Sequence, residues 1–251
     1  MKKNYASVLK ATDVKMYQVS TLQALAMGHT RPVIDVAELK KHGNIGLGTF
    51  EGVNGEMIVV DGKVFRATDD GSVSEADENM GVPFASVCNS NGGISFDIQE
   101  MSRIEDLKTL LNVRIEELFG LNSMHMVRID GEFEVIDARS EEAYHAIHVS
   151  LKDMLKETQK AFKFDNVSGT LICVYYPDFM DGINAAGWHI HFVSDDRKKG
   201  GHVFDLKMKS GHARLDKISK IEIQLPTDPV FDTYSLKEAS GDDIKKVEQG
   251  K

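Results

Sequence analysis

Three histidines, His189, His191 and His202, carry the strongest chemical signal in this chain. They fall in Gly187-Trp188-His189-Ile190-His191-Phe192-Val193-Ser194-Asp195-Asp196-Arg197-Lys198-Lys199-Gly200-Gly201-His202-Val203, where two β-favouring runs flank a charged turn closed by glycines. That pattern predicts an antiparallel hairpin. Side chains alternate along a strand, so His189 and His191 share one face and Trp188, Ile190 and Phe192 take the other. A turn from Asp195 to Gly200 sets Val193 opposite His202 and adds the third imidazole to the same face. Three imidazoles without a thiolate suit zinc or another divalent first-row metal, and they leave coordination positions open for water or substrate. The other six histidines, His29, His42, His125, His145, His148 and His212, have no partner at ligand spacing.

Two other positions could complete such a site. Glu56 opens the apolar run Met57 to Val60, so it is either a solvated strand end or an acid aimed into a cleft. Arg139 ends a strand, where arginines are mostly exposed, but a guanidinium also forms a bidentate pair with a substrate carboxylate. Arg128, on the neighbouring strand, competes for that role.

The elements that must position these groups can be read from pattern. Short helices are expected from Val19 to Gly28 and from Val36 to Lys41. Residues Gly46 to Ala67 form a three-stranded meander turned at Asn54-Gly55 and Asp61-Gly62. Strands follow at Val82 to Cys88 and Gly93 to Ile98, then a helix from Ile104 to Phe119 with apolar residues at helical spacing. Strands Ser123 to Ile129 and Glu132 to Ala138 are joined by an Asp130-Gly131 turn. Glu141 to Lys160 is amphipathic and helical in part. Strands from Phe164 to Tyr176 lead to the histidine hairpin, and Val203 to Met208, Ala213 to Leu215 and Ile218 to Leu225 continue it. A polar tail ends in a short helix from Ser240 to Glu248. The fold class expected is α/β in two parts. Residues 1–15 are loosely held, 16–142 form an N-terminal mixed sheet with helices, and 143–251 form a mainly antiparallel sheet or barrel that carries the metal, with the cleft between the two parts.

A chain of 251 residues that is 41% hydrophobic can bury a full core. Its formal charge of -9 argues against a nucleic-acid surface, which wants clustered Lys and Arg. Cys88 and Cys173 are far apart in apolar settings, so buried free thiols are expected rather than a disulfide. No apolar run reaches membrane-spanning length, and no signal-peptide core follows the charged start. The expectation is a soluble, cytoplasmic protein.

The histidine stretch, written Gly-x-His-x-His-Phe-x-x-Asp-Asp-x-x-x-Gly-Gly-His-Val, resembles the metal-binding signature of the acetolactate decarboxylases. Gly48, Thr49, Phe50, Gly52, Gly55, Glu56 and Met57 match a second segment of that family, Gly-Thr-Phe-x-Gly-x-x-Gly-Glu-Met, and Pro83-Phe84-Ala85 also resembles it. The resemblance runs from about Gly46 to Glu248. It implies metal-dependent decarboxylation of 2-acetolactate to acetoin and CO2, through a metal-stabilised enediolate protonated on one face. It further implies zinc at His189, His191 and His202 with no organic cofactor, active-site roles for Glu56 and Arg139, and a homodimer. Family members return a glutamate near the C-terminus to the metal pocket, and Glu248 falls at that spacing. Thr49, in the matched segment, could orient substrate or water. The substrate is a small 2-hydroxy-3-oxo acid. Two rival readings are a cupin-type metal dioxygenase or isomerase, and a non-catalytic module holding a structural ion.

Overall fold

The computed structural model describes residues 13–90 and 92–236. Its elements begin with β1 (Val14–Val19), α1 (Leu22–Ala26), β2 (Ile34–Asp35), α2 (Val36–Leu39), β3 (Ile45–Thr49), β4 (Glu56–Val60) and β5 (Lys63–Ala67). They continue with β6 (Val73–Glu75), β7 (Gly81–Val82), β8 (Phe84–Cys88), β9 (Ile94–Ile98) and α3 (Ile104–Leu118). The rest are β10 (Met124–Glu141), α4 (Leu151–Thr158), β11 (Gln159–Tyr176), β12 (Gly187–Ser194) and β13 (Gly200–Gln224). Every residue of β3, β4 and β8 is buried, which is why their runs are almost continuously apolar.

Eleven strands share one hydrogen-bonded sheet in the order β10-β11-β12-β13-β1-β8-β3-β4-β5-β6, with β9 added on β13. β10 also pairs with β13, so β10 to β13 close into a barrel. Pairing among the sheet's strands is antiparallel except for β1, which runs parallel to β13. The fold is therefore β-rich, with short helices in the minority, and its barrel carries the histidines. Strands on both sides of residue 142 share the sheet, since β10 lies between β11 and β13.

Several boundaries differ from those read in sequence. Val14 and Lys15 belong to β1 rather than to a loose end. Val19 finishes that strand, and α1 starts three residues later, where the Thr21 side chain accepts from the Ala24 N–H. Asp61-Gly62 is the tight turn expected, with positive φ at both positions, 53° and 74°. Asn54-Gly55 is not, because Asn54 has φ -85°; the chain instead passes through a 3-10 turn at Glu51–Val53.

The largest difference concerns Asp130-Gly131, which does not turn. β10 runs straight through it for 18 residues, paired on both edges. Gly131 faces Gly169 on β11 and Gly211 on β13, so three glycines line up across the barrel wall. A Cβ on Gly131 would stand 2.7 Å from the Ser210 carbonyl oxygen, so glycine is there for close backbone approach. The Asp130 carboxylate is held by both oxygens on Arg128 Nε, at 2.9 and 3.0 Å, and also meets Thr170 and Arg214. The segments 203–208, 213–215 and 218–225 likewise merge into the single strand β13, 25 residues long.

Two cores flank the barrel wall. Ile104, Leu107, Leu111 and Ile115 form the buried face of α3 and pack with Trp188, Ile190 and Phe192 from one face of β12. Trp188 Nε1 donates to Asn112 Oδ1 at 2.8 Å, which ties β12 to the helix. On the opposite face, Ile172, Val174 and Val193 pack with Leu47, Ile58 and Val60 of the meander. That second interface is where the histidines point.

Candidate active site

β12 delivers His189 and His191 to the meander side and β13 delivers His202. The register pairs His191 directly with His202, and Val193 with Gly200. The expected pairing of Val193 with His202 is off by two residues, because the Ser194 N–H already bonds to the Lys199 carbonyl and tightens the turn. An even slip preserves the face, so the three imidazoles still converge. His189 Nε2 stands 3.0 Å from His191 Nε2 and 3.2 Å from His202 Nδ1.

Those spacings fit a shared ion. Zinc–nitrogen bonds of 2.0–2.1 Å in a tetrahedron place ligand nitrogens about 3.3 Å apart. All three ligand atoms lie within 4.8 Å of one another, and this is the histidine-bearing cluster that the described residues offer a metal. His191 Nδ1 lies 2.8 Å from the Met57 carbonyl, which fixes the tautomer that leaves Nε2 as the free base facing the centre. Burial drives the His189 pKa down to about 3, and the Arg139 charge adds to the effect. His191 is also pushed well below its usual range, by burial first, then by His189 and Arg139. Both imidazoles are thus neutral near pH 7, the form that binds a metal.

Glu56 closes one side of the group. Its Oε2 is 3.3 Å from His191 Nε2 and its Oε1 is 3.8 Å from His202 Nδ1. The residue is 9% exposed, so the strand-mouth acid points inward rather than to solvent. Thr49 sits opposite Glu56 across β3 and β4, and its hydroxyl donates to the Gly55 carbonyl at 2.9 Å. That bond secures the backbone just before Glu56. Ser140 braces the other side by accepting from the Glu56 N–H and donating to the Ala67 carbonyl.

Arg139 lies directly opposite His202 across β10 and β13, and it is buried. Arg128, its competitor, bonds to Asp130 and Asp61 instead and does not line the pocket. The pocket is lined by Thr49, Glu56, Arg139, Glu141, His189 and His202, with Leu25, Val53, Phe84, Leu151 and Leu155 as its apolar wall. Glu141 was missed in sequence because it was read as the start of a helix. β10 in fact continues to it, and the spacing Arg139-x-Glu141 is the signal that places both on one strand face. The Leu151 and Leu155 spacing did mark one helical face, but not what that face covers. Glu248 lies outside the described residues.

The β-barrel and its pocket define a protein of the enzyme class, with an acid and a guanidinium facing three metal-competent imidazoles. Comparison with known proteins then narrows the class. The sequence profile of the alpha-acetolactate decarboxylases matches residues 16–238. An alpha-acetolactate decarboxylase from Methanosarcina mazei is 35% identical over 95% of this chain and 81% of its own length. That of Bacillus subtilis is 30% identical over 88% of this chain and 86% of its own length. A crystal structure of the Bacillus subtilis strain 168 enzyme superposes with a TM-score of 0.88 at 29% identity, covering 93% of this chain and 99% of that one. The chain belongs to the alpha-acetolactate decarboxylase family, and it is an enzyme that decarboxylates acetolactate.

Proposed function

We propose that this decarboxylation uses a divalent metal, zinc in the first instance, held by His189, His191 and His202, and that Glu56 is the acid that protonates the product. The observation that carries the reading is the Glu56 carboxylate, set 3.3 and 3.8 Å from two of the three clustered ligand nitrogens. When bound, the ion supplies a Lewis acid for the charge left behind as CO2 departs.

The chain's own residues do the rest. Arg139 takes the substrate carboxylate in a charge-assisted pair and orients the scissile carbon–carbon bond. As that bond breaks, its electron pair stays on the substrate and delocalises into the adjacent ketone as an enediolate. Arg139 also stabilises the developing oxyanion. Glu56 then delivers a proton to the former carboxylate-bearing carbon from one face, giving acetoin as a single enantiomer, and is reprotonated from solvent. Leu25, Val53, Phe84, Leu151 and Leu155 keep bulk water from the reacting carbon. Thr49 holds the turn that aims Glu56. Glu248 is retained as a further acid on the family's spacing, and the homodimer and a cytoplasmic location belong to the same reading.

Acetoin formed from racemic acetolactate, before chelation, after it, and after zinc is restored, tests the metal dependence. Glu56→Gln should lower turnover by roughly 100- to 10,000-fold, the range of a lost general acid, while the protein keeps its zinc. Undiminished turnover in that variant removes Glu56 from the role.

A further inference from the structure

Val53 stands in the pocket wall on a backbone that its residue type resists. Its φ is 55°, and it is the β-branched residue among those with positive φ in the described chain, the rest being glycine or polar. A branched Cβ in the left-handed region is an outlier that persists only where the surroundings impose it. Here ties on both sides impose it. Before it, Gly52, itself left-handed at φ 70°, donates its N–H to the Thr30 carbonyl and accepts from the Tyr144 N–H. After it, the Gly55 N–H bonds back to the Val53 carbonyl, Arg66 clamps the carbonyl and side chain of Asn54, and Thr49 holds the Gly55 carbonyl. The side chain so placed is buried with Leu22, Leu25, Phe84 and Leu151, and it lines the cavity. Glu56 follows three residues later, at the start of β4.

We propose that Val53 sets the size of the alkyl group accepted on the reacting carbon, admitting methyl and resisting ethyl. The inference rests on acetolactate reacting in this pocket with its carboxylate on Arg139. The reacting carbon of acetolactate bears a carboxylate, a hydroxyl, an acetyl group and a methyl. The oxygen-bearing groups are taken by the polar side of the cavity, where Arg139 and the histidines lie, and the methyl is left to the apolar side. Leu25, Leu151 and Leu155 also line that side, but they stand on α1 and α4 with unbranched Cβ atoms, and a change of rotamer makes room. Val53 has no such freedom: its χ1 is stiff, and its backbone is tied into the loop that aims Glu56. A rigid group so close in the chain to the acid fixes the spacing between methyl and carboxyl. An added methylene either clashes with Val53 or carries the reacting carbon away from Glu56. Phe84 is rigid too, and substitution separates its effect from that of Val53.

The test compares carbon dioxide release from racemic acetolactate and from its homologue with ethyl in place of methyl on the reacting carbon, on one preparation of active protein. Wild-type kcat/KM should favour the methyl substrate by about 10-fold, the usual discrimination of one methylene by an apolar pocket. Val53→Ala should shrink the ratio to within about threefold, by gain on the ethyl substrate, and Val53→Ile should widen it to about 30-fold or more. Phe84→Leu, which opens space elsewhere in the wall, should leave the ratio within about twofold of wild type. A ratio unmoved by both Val53 variants overturns the proposal, and so does one that moves as far in Phe84→Leu as in Val53→Ala. Equal kcat/KM for the two substrates in the wild type does so too, without needing any variant to fold. Chelation and Glu56→Gln act on both rates alike, so a wrong assignment of the metal or the acid leaves the ratio intact and is told apart from a wrong assignment of Val53.

Discussion

The Arg139 guanidinium sits in a tight electrostatic setting, opposite His202 and on the same strand face as Glu141. Its charge already lowers the pKa of His189 and His191. If it orients the substrate carboxylate, geometry matters beyond charge, because a planar fork matches two oxygens and an ammonium does not. Arg139→Lys should therefore lower kcat/KM by about 10- to 100-fold, or roughly 1.4–2.8 kcal/mol of transition-state stabilisation. Zinc affinity should stay within a few-fold of wild type. A variant that loses zinc instead would make Arg139 a prop for the histidines. Residue types together with the family resemblance pointed to seven candidates for the site, and the structure brings six of them together, His189, His191, His202, Glu56, Arg139 and Thr49, while Glu248 lies outside the described residues. Glu141 escaped notice because the stretch it opens, Glu141 to Lys160, has a helical pattern, and a charged residue at a helix start reads as solvated.

At the scale of elements, the hairpin was legible because alternation is a local property of the chain, and a two-residue slip in register leaves every side chain on its face. The long strands were not. Asp130-Gly131 carries the letters of a tight turn, yet ladders on both edges, together with the Arg128 and Arg214 bonds to Asp130, keep it extended. Such pairing is decided by residues 40 to 80 positions away, which a local pattern cannot weigh. The same wall makes a sharp demand at Gly169. A Cβ there would lie 2.4 Å from the Val193 carbonyl oxygen and 2.6 Å from Phe192 Cε2, at the end of the histidine strand. Gly169→Ala should cost about 1–3 kcal/mol, the usual range for overpacking, read as a drop in the urea midpoint. Gly62→Asn, in a turn with nothing within 4 Å of the added carbon, should cost only a few tenths. Equal losses in the two variants would mean that the barrel wall yields easily.

Over the whole molecule, folding buries histidines that are ordinarily half-charged near neutrality, and this ties stability to pH. His125, at the start of β10, is the case remote from the pocket, and it is fully buried against the rings of Phe119 and Tyr175. Burial first, then the Lys217 charge, lowers its pKa from 6.5 to about 4. The folded chain thus refuses a proton that the unfolded chain accepts, so unfolding takes up protons between those two values. Stability is full above about pH 6.5 and is lost as the pH falls toward 4. By linkage, this histidine should remove about 2 kcal/mol between pH 7 and pH 5. Urea melts at the two pH values, run on metal-free protein so that zinc release does not contribute, measure the loss. His125→Phe keeps an aromatic ring in that slot and removes the titration, so its melts should diverge by about 2 kcal/mol less across the same interval. An unchanged difference would place the acid sensitivity elsewhere, with the metal-site imidazoles next in line.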